Sequence, residues 1–214
     1  MKTILCYGDS LTWGFDAEKG GRHRLEDRWP SVLAQALGER VTVIPEGLSG
    51  RTTAYDDHLA PTERNGAKVL PTILGTHEPL DLVVILLGTN DLKINAGGGR
   101  AFEARIGMER LVQIVRSFPY QDDHGVPEVL IVSPPVFVET PNDVYDQLFG
   151  HALAQSRLIA PAYVALAAEA GCHVFDATTV AEATALDGVH LDAANTRAIG
   201  QALVEPVRTI LSGR

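Results

Sequence analysis

The apolar run Thr3-Ile4-Leu5-Cys6-Tyr7 leads directly into Gly8-Asp9-Ser10-Leu11, which puts a serine on the turn where a first strand must end. A serine hydroxyl is a poor nucleophile until a base takes its proton. Chemistry at Ser10 therefore also needs a base, a group that orients the base, and donors for the oxyanion that forms. The chain carries residues of each kind. Near its far end, Asp187-Gly188-Val189-His190 sets a carboxylate and an imidazole three positions apart. Between the ends lie Gly47-Leu48-Ser49-Gly50-Arg51 and Gly88-Thr89-Asn90-Asp91, each behind a strand-like segment and each rich in backbone or amide donors.

Each of these residues also has a plainer use. A serine after a strand is most often a helix cap, and Asp187 and Asp192 could both be caps; Asp192, before Ala-Ala-Asn-Thr-Arg-Ala-Ile, is expected to be one. Asp9 is expected to hydrogen-bond within its own turn. Of the seven histidines, His23, His58, His77, His124 and His151 fall in polar or loop-like contexts and are expected to be solvated, while His173 begins a strand. Asp56-Asp57-His58 suggests a metal site, but adjacent residues seldom point at one ion, so no metal is expected. Arg51 and Lys93 either approach the pocket or pair with surface acids. A non-catalytic ligand-binding module would not need a serine, an acid–histidine pair and two donor-rich loops together. Nucleotide binding is disfavoured because Gly-Asp-Ser-Leu-Thr-Trp-Gly matches neither the dinucleotide Gly-x-Gly-x-x-Gly pattern nor a P-loop. Nor is it the Gly-x-Ser-x-Gly elbow of α/β-hydrolases.

The elements that must position these residues are legible as short buried runs between amphipathic stretches. The runs are 4–7, 41–44, 82–87, 129–132 and 173–175. Nearly continuous hydrophobicity of this length predicts parallel strands covered on both faces. Trp29, Val32, Leu33, Ala36 and Leu37 form a helical stripe, with Pro30 suited to a first turn and Gly38 to a stop. Similar stripes run through 106–115, 158–166 and 199–207. The alternation predicts an α/β fold, a three-layer α/β/α sandwich whose five parallel strands take a flavodoxin-like order, with the site at their carboxyl ends. No repeat or linker marks a second domain, so residues 1–214 are expected to form one. Two segments, 15–27 and 134–150, look irregular and too long to be mere connections.

The four blocks, in this order, resemble the SGNH (GDSL) hydrolase family over nearly the whole chain. Carried over by position, the resemblance implies a serine nucleophile at Ser10, its base at His190 and its acid at Asp187. It implies oxyanion donors at Ser10, Gly50 and Asn90. Gly8-Asp9-Ser10-Leu11-Thr12-Trp13-Gly14, Glu46-Gly47-Leu48-Ser49-Gly50-Arg51-Thr52-Thr53 and Leu87-Gly88-Thr89-Asn90-Asp91 are closest to the bacterial arylesterase and acyltransferase branch. That branch implies a cofactor-free serine esterase for small acyl or aryl esters, with acyl transfer to alcohols or peroxide competing with hydrolysis. It favours Trp13 as a pocket wall; Phe15, Val136, Phe137 and Phe149 are further wall candidates with an equally good use as core. A carbohydrate acetylesterase or thioesterase of the same family shares the triad and differs only in its walls. The branch also implies a homo-oligomer, up to an octamer, whose subunits narrow the mouth of each site.

Composition sets the outer bounds. The 214 residues are 45% hydrophobic and 21% charged, ordinary for a chain with a sizeable core. A formal net charge of −9 and the lack of any Lys/Arg run argue against a nucleic-acid partner. The longest apolar run, Leu82 to Leu87, is far below the roughly 20 residues a membrane span needs, so no membrane partner is expected. The N-terminus lacks a signal-peptide pattern, which predicts a cytoplasmic location. Cys6 and Cys172 lie far apart in apolar contexts and are expected to be free buried thiols.

Overall fold

In a computed structural model, which describes residues 1–213, all five apolar runs form strands of one parallel sheet. They are Lys2–Gly8 (β1), Val41–Gly47 (β4), Leu82–Leu86 (β5), Glu128–Ser133 (β6) and His173–Asp176 (β7). The order across the sheet is β4-β1-β5-β6-β7, which is the flavodoxin-like arrangement. A separate two-stranded antiparallel ribbon is made by Phe15–Asp16 (β2) and Gly21–Arg22 (β3).

Strand periodicity explains why the runs are apolar throughout. Successive side chains point to opposite faces, so Leu5, Tyr7, Val83, Ile85 and Ile131 share one face, and Ile4, Cys6, Leu82, Val84, Leu86 and Val132 the other. The first face is covered by Gly66–His77 (α3), Ala101–Ser117 (α5) and Leu153–Ala170 (α7) through Leu70, Leu74, Met108, Leu111, Ile159 and Tyr163. The second is covered by Trp29–Leu37 (α2), Ala193–Ala202 (α8) and Val204–Ser212 (α9) through Trp29, Leu33, Ile199 and Val207. The result is the three-layer α/β/α sandwich expected from the sequence.

Two helices of seven residues or more are absent from the sequence-based expectation. In α3, Pro71 sits inside the element and disguises its periodicity, while Asn65 caps it by accepting the N–H groups of Ala67 and Lys68. The second is Asp143–Phe149 (α6), capped by Asn142, which gives order to the segment expected to be irregular. The remaining short helices are Ser10–Trp13 (α1) and Ile94–Gly97 (α4). The C-terminal stripe is divided at Leu203 into α8 and α9, and Asp192 caps α8 as expected. Cys6 is buried, and burial pushes its thiol pKa up; Cys172 is only half-buried, and both are free. No helix among the described residues is long and apolar enough to cross a membrane.

Candidate active site

Strand ends deliver the site. β1 stops at Gly8, and Asp9 Oδ1 accepts the Leu11 N–H at 2.9 Å, capping α1 so that Ser10 opens it. Asp9 thus plays its expected role within the turn. Ser10 Oγ donates to His190 Nε2 at 2.8 Å, and His190 Nδ1–H donates to Asp187 Oδ2 at 2.6 Å. Because a carboxylate only accepts, the proton belongs on Nδ1 and leaves Nε2 free to take the serine proton. Asp187 Oδ1 is occupied separately, by the N–H groups of Val189 at 3.0 Å and His190 at 2.8 Å. Burial alone would raise the Asp187 carboxyl, but the His190 hydrogen bond and charge, with those two N–H groups, hold it below the usual aspartate value. The imidazole is held between rings, with Phe15 at 4.4 Å and Tyr145 at 5.7 Å between centroids.

The same cleft, about 220 Å³ in volume, is lined by Ser10, Gly50, Asn90 and His190. The Ser10 N–H, first in its helix, has no intrahelical partner, and neither it nor the Gly50 N–H donates to any group among the described residues. Gly50 has φ +84°, and a Cβ there would lie 2.5 Å from the Arg64 guanidinium. Only glycine fits that backbone without strain. The Asn90 amide is anchored from behind by Asp9 Oδ2 at 3.3 Å and the Arg51 carbonyl at 3.2 Å, both at the long end of hydrogen bonding. Burial pushes the Asp9 carboxyl up to about 6, against the Leu11 N–H, His190 and Arg51, which favour its charged form. Asp91 ties the loops of Gly50 and Asn90 together by accepting the Thr53 N–H at 3.1 Å and the Thr53 hydroxyl.

Asn90→Ala is therefore expected to lower kcat by about 10²–10³ with a smaller change in KM, since an oxyanion exists only around the transition state. Steady-state kinetics on a p-nitrophenyl ester measures both, and an unchanged kcat would leave Asn90 a structural anchor only.

Several expectations need correction. Trp13 does not line this cleft: it is half-buried with the Arg22 guanidinium 4.7 Å from its ring centroid. Gly14, at φ +89°, ends α1 and turns the chain, so Phe15 faces the site instead. Of the other wall candidates, Phe149 lines the cleft, while Val136 and Phe137 do not. Tyr145 and Leu148, carried in on α6, complete the wall; the signal that could have exposed them is the Asn142 cap before Asp143-Val144-Tyr145. His23 is not solvated but buried, with Nε2 donating to the Leu191 carbonyl at 2.9 Å and Nδ1 3.6 Å from Asp16 Oδ2, directly behind the His190 loop.

The two undecided cations part ways. Arg51 is buried structure: it donates to the carbonyls of Gly8, at 2.9 Å, and Glu46, and lies 4.2 Å over the Tyr7 ring. Lys93 lines the cleft. At the Asp56-Asp57-His58 run, Asp56 is paired with Lys68 and Asp57 with Arg64, so both carboxylates already have cations.

The model of the GDSL-like lipase/acylhydrolase family matches residues 6–198. No curated protein matches the sequence. A carbohydrate acetylesterase family member from Sinorhizobium meliloti has a structure 56% identical to this chain, with TM-score 0.96 over 99% of this chain and 100% of that one. The aryl esterase of M. smegmatis is 41% identical, with TM-score 0.92 over 98% and 100% of the two chains. A second carbohydrate acetylesterase from Sinorhizobium meliloti is 34% identical, with TM-score 0.91 over 98% and 100%.

Proposed function

The chain belongs to the GDSL-like lipase/acylhydrolase family, and we propose that it is a serine esterase of small acyl and aryl esters, working through an acyl-enzyme on Ser10. One observation carries this reading: the unbroken relay from Asp187 through His190 to Ser10, with contacts of 2.6 and 2.8 Å. Ser10 Oγ attacks the ester carbonyl carbon while His190 Nε2 takes its proton. The carbonyl oxygen becomes an oxyanion facing the Ser10 and Gly50 N–H groups and the Asn90 amide. The tetrahedral adduct collapses, the alkoxide or aryloxide leaves with the proton from His190, and an acyl-serine remains. Water, activated by the same imidazole, releases the acid. An alcohol or peroxide taking the place of that water gives acyl transfer.

Cleft size supports a small substrate. About 220 Å³ is below the roughly 300–1,000 Å³ of sites that bury drug-sized ligands. Phe15, Tyr145 and Phe149 bound it in place of the Trp13 wall expected from sequence. Across a p-nitrophenyl series, kcat/KM is expected to peak at acetate to butyrate; a maximum at decanoate or longer would contradict the assignment.

A second reading, deacetylation of carbohydrate, is favoured by the two acetylesterase relatives at 56% and 34% identity. Acetate release from an acetylated oligosaccharide, run beside phenyl acetate, separates the two: a kcat/KM on the sugar at least tenfold above phenyl acetate would favour it.

Self-association is part of the same proposal. On the two long segments, Phe137 and Phe149 are buried within the chain. What remains uncovered on the two long segments is Leu25 and Val144, 63% and 64% exposed, with Leu186, 53% exposed, beside the acid of the triad. Light scattering is expected to give a multiple of 23.0 kDa; the monomer mass at micromolar concentration would sink the assembly claim.

A further inference from the structure

The charge lining the cleft runs against the charge of the chain. In a protein of net charge −9, the cleft around Ser10 is lined by two cations, Arg64 and Lys93, and by no carboxylate. The Arg64 guanidinium packs against Gly50 and has a partner, Asp57, at 2.7 Å. Lys93 differs. Its backbone N–H bonds the Asn90 carbonyl at 3.2 Å, so the residue is set one tight turn beyond the oxyanion amide. Its ammonium is half-buried and lies 5.3 Å from the centroid of the Phe149 ring. That ammonium makes no hydrogen bond or ion pair among the described residues.

An ammonium offers three donors and no acceptor, and half-burying one without an anion is unfavourable. Its pKa reflects this, being held below the ordinary lysine value by burial first and the Arg64 charge second, with Asp57 and Asp9 acting in the other direction. A surface lysine avoids that cost by extending into water, whereas this one stays over an aromatic wall at the reacting centre. The reaction's own oxyanion is not the evident partner, because the Ser10 and Gly50 N–H groups have no other acceptor, and the Asn90 amide joins them once one of its two long bonds, to Asp9 or to the Arg51 carbonyl, gives way.

We propose that Lys93, flanked by Arg64, is a specificity-determining residue that receives an anionic group carried by the ester, so that esters bearing a carboxylate are preferred over neutral ones of the same size. This rests on the esterase assignment and deepens it. A charge-assisted hydrogen bond in a partly dry cleft discriminates by roughly 10- to 100-fold. The anionic group belongs to either the acyl or the alcohol part, since a lysine stem is long and rotatable.

The test is a set of kcat/KM ratios on matched pairs. On the alcohol side, 4-acetoxybenzoate is compared with 4-acetoxybenzamide; on the acyl side, the p-nitrophenyl monoester of adipate with p-nitrophenyl hexanoate. In at least one pair, the ratio of charged to neutral ester is expected to fall tenfold or more in Lys93→Met and to recover in part in Lys93→Arg. The wild-type ratio should also shrink in 1 M salt, where the screening length is about 3 Å. Methionine leaves no buried charge behind, and a thermal melt checks the fold. A ratio equal in wild type and Lys93→Met for both pairs would overturn the proposal. So would an equal loss on charged and neutral esters, which would make Lys93 an oxyanion or structural group. Turnover of the neutral esters without charge discrimination overturns this proposal alone, while no turnover of any of the four overturns the esterase assignment with it.

Discussion

Ser10→Ala is expected to lower kcat for p-nitrophenyl acetate by roughly 10⁶-fold, and His190→Ala by a similar factor, with the double variant little worse than either. In the proposed mechanism the two residues act as one unit: Oγ attacks and Nε2, 2.8 Å away, takes its proton. Without the hydroxyl no acyl-enzyme forms, and without the imidazole the hydroxyl stays protonated at neutral pH. Neither substitution should unfold the protein. The Asp9 cap of α1 uses the Leu11 N–H rather than the serine side chain, and the Asp187 turn is held by backbone N–H groups. Circular dichroism with a thermal melt verifies the fold, and a serine-directed phosphonate should label the wild type once per chain, at Ser10. More than about 1% residual activity in either single variant, or labelling elsewhere, would mean a different nucleophile.

Asp187→Asn is expected to lower kcat by about 10⁴-fold while leaving KM and the local backbone nearly unchanged. The asparagine carbonyl can still accept the N–H groups of Val189 and His190, as Asp187 Oδ1 does at 3.0 and 2.8 Å. Its NH₂ group then faces His190 Nδ1 where Oδ2 had accepted at 2.6 Å. Two donors cannot meet, so the ring proton moves to Nε2, which points a hydrogen at Ser10 instead of a lone pair. The stability consequence has a definite sign. The folded carboxyl is held below its ordinary value, so its contribution is present above the unfolded value of about 3.9 and is lost as pH falls through the lowered folded one. Wild type and Asp187→Asn should therefore converge in melting temperature in acid. A kcat loss under tenfold would show that Asp187 does not control the tautomer.

Legibility divided along the reach of the forces involved. All five strands could be read from the sequence because a strand buried on both faces is apolar at every position, and Val83 and Val84 serve opposite layers. The helix at 29–37 could be read because its stripe, Pro30 and Gly38 are local signals. The helix at 66–77 could not, since Pro71 interrupts the pattern and only packing of Leu70 and Leu74 against the sheet restores it. At the site, the turn chemistry of Gly8-Asp9-Ser10 and Asp187-Gly188-Val189-His190 lies within a few residues and announced itself.

The sequence by itself thus determined the parallel sheet and the strand ends at which Ser10, Gly50 and Asn90 fall, because period and turn composition are written locally in the chain; the roles proposed for Ser10, His190 and Asp187 came from the family resemblance of their blocks. Tertiary structure alone decided what those groups meet. It brought Ser10 to His190 across 180 positions. It chose Phe15 over Trp13 as the wall because Gly14, at φ +89°, reverses the chain between them. It buried His23 behind the His190 loop, sent Arg51 inward to the carbonyls of Gly8 and Glu46, and left Lys93 in the cleft. The direction of a side chain depends on a backbone turn of one residue and on neighbours from distant segments, and no local pattern encodes those neighbours.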